Sequence, residues 1–153
     1  MTTDQHARCA ALAKRIAELD PNWAANLLGV AVDCGGYSLR FVGCVGHPHM
    51  GADDGWVNNP VQAQYRKLRG GSGDTVAALF DRPTVCAPDY TDQATLGALL
   101  LSLGEQAEVA PISGVETTWY AFGHTFGHTP VTCEGDTRAE AILAAKVAQL
   151  EAK

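Results

Sequence analysis

Glu134-Gly135-Asp136-Thr137-Arg138-Ala139-Glu140 is the stretch that decides the fold. A hydroxyl residue with an acid three positions later is a capping box, in which each residue satisfies a backbone amide of the other at the start of a helix. Beyond it, Ala139, Leu143, Val147 and Leu150 recur at helical spacing, so a helix is predicted over Arg138 to Leu150 with one apolar stripe. Before it, between Thr117 and Cys133, aromatic and β-branched residues return on both sides of a Gly-rich interruption. That pattern predicts two antiparallel strands joined by a loop. The carboxy-terminal third is therefore a strand-to-helix unit, a fold signature with no catalytic character.

Working outward, Asp4 to Leu19 carries Cys9, Leu12, Ile16 and Leu19 at helical spacing and stops at Pro21. Leu28 to Val32 and Tyr37 to Val45 read as a hairpin around Asp33-Cys34-Gly35-Gly36. From Gly46 to Asn59 periodicity disappears, which predicts a long surface loop. Asn59-Pro60 then offers a cap and a first-turn proline for a short helix through Val61, Tyr65 and Leu68, ended by Gly70-Gly71-Ser72-Gly73. Val76 to Phe80 is too short to assign between strand and helical turn. Asp89 or Thr91 caps a further helix with Leu96, Leu99, Leu100 and Leu103 on one face and Gly104 at its end. Strand pairs separated by helices predict a single α+β domain, a small, mainly antiparallel sheet packed with helices in a helix-sheet-helix sandwich, with an insertion at about 46–74.

Composition narrows the function classes. In 153 residues, 46% are apolar and 18% charged, values of an ordinary globular chain that needs no staple. The densest apolar run, Leu96 to Leu103, is far too short to span a bilayer. Met1 to His6 is polar and lacks a signal-peptide pattern, which predicts residence in the cytoplasm. The five cysteines, Cys9, Cys34, Cys44, Cys86 and Cys133, are odd in number and form no C-x-x-C pair, which predicts reduced thiols in place of disulfides or a zinc knuckle. A formal charge of -6 disfavours nucleic acid as a partner, since neutralising phosphates supplies most non-specific affinity. The acidity is too mild for a dedicated DNA mimic.

Two stretches taken together carry a resemblance: Pro88-Asp89-Tyr90-Thr91-Asp92-Gln93-Ala94 opening a Leu-rich helix, and Trp119-Tyr120-Ala121-Phe122 followed by the helix start from Gly135-Asp136-Thr137 to Ala145. They resemble the phage ABA-sandwich domain family over about Pro88 to Leu150. The resemblance implies helix-sheet-helix layering and an origin in a phage or prophage, with no assigned activity. Separately, Gly135-Asp136-Thr137 with Glu140-Ala141 is similar to the strand-to-helix step of HicB-type antitoxins, although the aspartate-rich strand that precedes it in that family is absent here.

Three constellations can carry chemistry. His47, His49 and Asp53 in the central loop, with His124 and His128 in the aromatic hairpin, offer imidazole and carboxylate ligands for a metal if the loops meet in space. The plainer reading is that Phe122-Gly123-His124-Thr125 and Phe126-Gly127-His128-Thr129 are a duplicated surface turn. Arg66, Lys67 and Arg69 precede a Gly-rich turn whose amides can hold a small anion, against the alternative of a solvated helix face. Trp119, Tyr120, Phe122 and Phe126 alternate poorly, so at least one is expected to face outward, which makes Trp119, Tyr120 and Phe126 interface candidates. The plainer reading is that helices on both sides of the sheet bury them in the core. Nucleophilic catalysis finds no G-x-S-x-G elbow, and Ser38, Ser72, Ser102 and Ser113 lack a local motif. The expectation is a small phage or prophage accessory protein that uses no cofactor. It binds a host or phage protein, with interference in host defence as a purpose; the alternatives are a metal-binding protein or enzyme, and a small anionic-ligand or nucleic-acid binder through Arg66, Lys67 and Arg69. Helix faces and an unpaired sheet edge also permit a homodimer.

Overall fold

The computed structural model describes residues 1–20, 30–33, 38–41, 56–59, 65–66, 87–114, 117–124 and 129–152. Helix α1 spans Thr3–Leu19 and opens with a capping box, Thr2 accepting from the Gln5 amide at 3.1 Å and Gln5 accepting from the Thr2 amide at 2.8 Å. Cys9, Ala13 and Ile16 are buried, with Leu12 and Leu19 packed partly against the same core, so the predicted stripe is the inward face.

Strands β1 (Ala31–Asp33) and β2 (Ser38–Phe41) pair antiparallel with Asp33 opposite Ser38, the expected hairpin. The structure then departs from expectation. Trp56–Asn59, read as the end of a loop, forms β3 against β2, and Tyr65–Arg66, read as helix, forms β4 against β3. Two asparagines hide the strand character of β3, which comes from its pairing with Ser38–Phe41; strand preference is largely a matter of neighbours. A three-point apolar spacing through Tyr65 was too short to distinguish helix from strand. With β5 (Ala87–Pro88), these strands form an antiparallel sheet in the order β4-β3-β2-β1-β5. Val61, Leu68 and Val76 to Phe80 lie outside the described residues.

Helix α2 spans Gln93–Leu101 and is capped by Asp92, one residue beyond the predicted Thr91; its Oδ2 accepts from the Thr95 amide at 2.8 Å and from the Thr95 hydroxyl at 3.0 Å. Asp89 instead holds the preceding turn, accepting from the Thr91 amide and hydroxyl at 2.9 and 2.6 Å. Leu96, Leu99 and Leu103 are buried. The chain leaves α2 through Gly104 at a φ of 124°, a conformation that favours glycine.

A second antiparallel sheet follows in the order β6-β7-β8, from Glu108–Pro111, Trp119–Gly123 and Val131–Gly135. Strands β7 and β8 are the predicted pair. The register sets Val109, Ala121 and Cys133 in one row and Glu108, Phe122 and Thr132 in the next. Side chains alternate between faces, so Val109, Trp119, Ala121, Val131 and Cys133 face the core while Tyr120, Phe122 and Glu134 occupy the other side. Helix α3 (Arg138–Glu151) lies on this sheet, α1 packs on α3, and α2 lies beside it. Ala139, Ala141, Ile142, Leu143 and Ala145 are almost fully buried between these layers. Lys146 and Gln149 of α3 also donate to the carbonyls of Ser102 and Leu103, both at 2.8 Å, and so tie down the end of α2 where helix carbonyls lack partners within the helix. The class is α+β, with an antiparallel sheet packed by helices. Among the described residues, no helix is long and apolar enough to cross a membrane.

Candidate binding groove at the strand-to-helix turn

The turn between β8 and α3 is built around contact too close for a side chain. A Cβ on Gly135 would stand 2.5 Å from the Ala141 nitrogen and 2.9 Å from the Glu140 carbonyl carbon, so only glycine lets the strand end run against the helix backbone. Thr137 then caps α3, its hydroxyl accepting from the Glu140 amide at 3.1 Å. The return bond of the predicted capping box is displaced by one residue: Glu140 accepts from the Asp136 amide, at 3.1 Å, in place of the Thr137 amide.

Arg8 of α1 reaches this turn from the neighbouring helix. Its Nε donates to Glu140 Oε1 at 2.8 Å and its Nη2 to Asp136 Oδ2 at 2.7 Å. The hydrogen bond to Glu140 is the main reason the guanidinium is held above its ordinary pKa, with the charges of both acids adding to it. Next to it, burial pushes the Cys9 thiol up to about 11, against the opposing pull of a hydrogen bond with Thr137. Cys9 is therefore a protonated packing group at neutral pH, not a nucleophile.

Beside the turn lies an open groove of about 340 Å³, lined by Tyr90, Thr91, Gln93 and Leu96 around the start of α2, by Trp119 of β7, by Asp136, Thr137 and Arg138, and by Met1 and Gln5. The Arg138 guanidinium sits over the Trp119 ring with its central carbon 4.5 Å from the centroid. Such a stack fixes a cation by its attraction to the ring face. Tyr90 forms part of the buried wall, with the His6 ring edge-on at 5.1 Å, and burial raises its phenol pKa.

The sequence candidates are distributed unevenly over this geometry. Trp119 lines the groove and also packs against the core. Tyr120 lies on the opposite face, where its hydroxyl donates to Glu108 Oε1 at 2.6 Å; that bond raises its pKa. The interface aromatics thus alternate across the sheet, with Phe122 on the side of Tyr120. His124 follows β7, half-buried, its ring 6.4 Å from that of Phe122. Phe122 and Gly123 belong to β7, so the first of the two tetrapeptides begins as strand and not as turn. Phe126, His47, His49, Asp53 and His128 lie outside the described residues, and among the described residues no three histidine, cysteine or acidic side chains gather as metal ligands. Arg66 stands in β4 opposite Trp56, while Lys67 and Arg69 lie outside the described residues.

Sequence reading missed Arg138, Arg8 and Tyr90. Only Arg138 leaves a local signal, being a cation in the first turn of a helix, where the macrodipole favours acids. Comparison of the chain with protein-family models, with curated proteins and with solved structures gives no match.

Proposed function

We propose that this protein is a small non-catalytic module that acts in the cytoplasm of a bacterial host by binding a host macromolecule, most simply a protein, through the groove beside the β8-to-α3 turn. The observation that carries this reading is the groove itself: Trp119, Tyr90 and Arg138, the residue types that dominate binding energy at protein interfaces, line one concavity with Leu96 among them. Gln5, Thr91, Gln93 and Asp136 add polar side chains to the same lining, and interfaces combine apolar and polar groups in this way. The setting of a phage or prophage accessory protein, with interference in host defence as its purpose, rests on the resemblance of Pro88 to Ala94 and Trp119 to Ala145 to the phage ABA-sandwich family.

The test is native mass spectrometry of the untagged protein recovered gently from a host-like lysate, alongside the Gln93→Trp variant. Gln93 is exposed at the first position of α2, so a bulky ring there obstructs the groove without entering the core. A host protein carried by the native chain and lost from Gln93→Trp is the expected result. A stoichiometric metal or nucleotide, or a partner retained by the variant, would sink the groove-binding reading and direct attention to the histidine loops or to Arg66, Lys67 and Arg69.

A further inference from the structure

Arg138 occupies a position that local helix energetics disfavour. It stands in the first turn of α3, where a cation opposes the helix dipole. The two carboxylates of the turn do not require it, because Arg8 holds both Asp136 and Glu140. Among the described residues, no carboxylate forms an ion pair with Arg138, although it lines the groove. Its cation–π contact with Trp119 engages the ring and not an acceptor atom, so it commits no N–H donor to an ion pair. A guanidinium placed over a ring with its donors unpaired can make two parallel hydrogen bonds to a carboxylate.

From this arrangement we infer that the groove takes an acidic segment of a protein partner, with an aspartate or glutamate carboxylate on Arg138 and an adjacent apolar side chain against Trp119 and Leu96. The inference rests on the groove being the binding surface and adds the chemistry of what fills it. A volume of about 340 Å³ suits a few side chains of an inserted segment, at the small end of the range for ligand sites. A nucleic acid fits less well: it needs several phosphate contacts to gain affinity, whereas among the described residues the groove presents one arginine, on a chain of net charge -6. One arginine is sufficient for one carboxylate.

The experiment is selection of a displayed random-peptide library on the full chain, followed by affinity measurement of the enriched peptides as free synthetic probes. Expected are peptides with an aspartate or glutamate beside an apolar residue, bound roughly ten-fold or more weakly by Arg138→Gln, the size of loss that removal of a charge-assisted hydrogen bond produces. The same loss should follow replacement of the peptide's acid by its amide, and Gln93→Trp should block binding with Arg138 intact. Thermal melting establishes that both variants are folded. Groove-dependent peptides that lack an acid, or that Arg138→Gln binds as well as the native chain does, overturn this inference and leave the binding-module reading standing. Enrichment of no peptide sensitive to Gln93→Trp overturns both.

Discussion

Gly135 and Gly97 show how differently one added methyl group acts at two places in this chain. At Gly135 the methyl would collide with the backbone of Glu140 and Ala141, which no rotamer change can relieve. Gly135→Ala should therefore lower unfolding free energy by about 1–3 kcal/mol, the usual scale of overpacking, in urea denaturation followed by circular dichroism. At Gly97, inside α2, a Cβ meets nothing within 4 Å. Gly97→Ala should raise stability by about 0.4–1 kcal/mol, because it removes backbone freedom from the unfolded chain. Equal effects at the two sites would contradict the close strand-to-helix approach. Trp119 and Arg138 depend on that approach as well. The β7–β8 register sets Trp119 opposite Gly135, and the turn then returns Arg138 over the Trp119 ring.

At the scale of elements, α3 depends on Thr137, whose hydroxyl takes the Glu140 amide while Glu140 reaches back to the Asp136 amide. Thr137→Ala should cost about 1 kcal/mol, and Thr137→Ser should restore most of it, since the cap needs an oxygen and not a methyl group. Chemical denaturation of the two variants checks this; equal losses in both would mean that Thr137 acts by packing and not by capping. This cap was legible in the sequence because capping is local, as were the three described helices, whose apolar periodicity runs for several turns. Strands β3, β4 and β6 were not legible. They are two to four residues long, β3 contains two asparagines and β6 ends in a proline that suits an edge strand, so their identity comes from partners distant in the chain. The groove was legible only through Trp119, because its walls come from the starts of three helices and from a strand register that no local pattern encodes.

For the molecule as a whole, Cys9 makes the packing of α1 on α3 sensitive to alkali. Its thiol, moved from an ordinary 9.0 to about 11 chiefly by burial, stays protonated in the folded chain over a range where the unfolded chain ionises. The Tyr90 phenol is raised in the same direction by burial. Below about pH 9 both states keep the Cys9 proton and stability does not change on its account. Between about 9 and 11 the unfolded state binds fewer protons than the folded one, so unfolding free energy falls as pH rises. Each pKa unit is worth about 1.4 kcal/mol, so the loss attributable to Cys9 should approach about 2–3 kcal/mol by pH 11. The Cys9 side chain is fully buried in the core that α1 shares with α3, so its ionisation requires these helices to part and should appear as global unfolding. Urea denaturation at pH 7, 9 and 10.5 on the native chain and Cys9→Ala isolates the effect. The variant should start less stable because of the cavity it creates, yet lose less between pH 9 and 10.5 than the native chain does. Parallel pH slopes in the two proteins would mean that other groups, Tyr90 foremost, carry the alkaline instability and that the Cys9 thiol titrates without parting the helices.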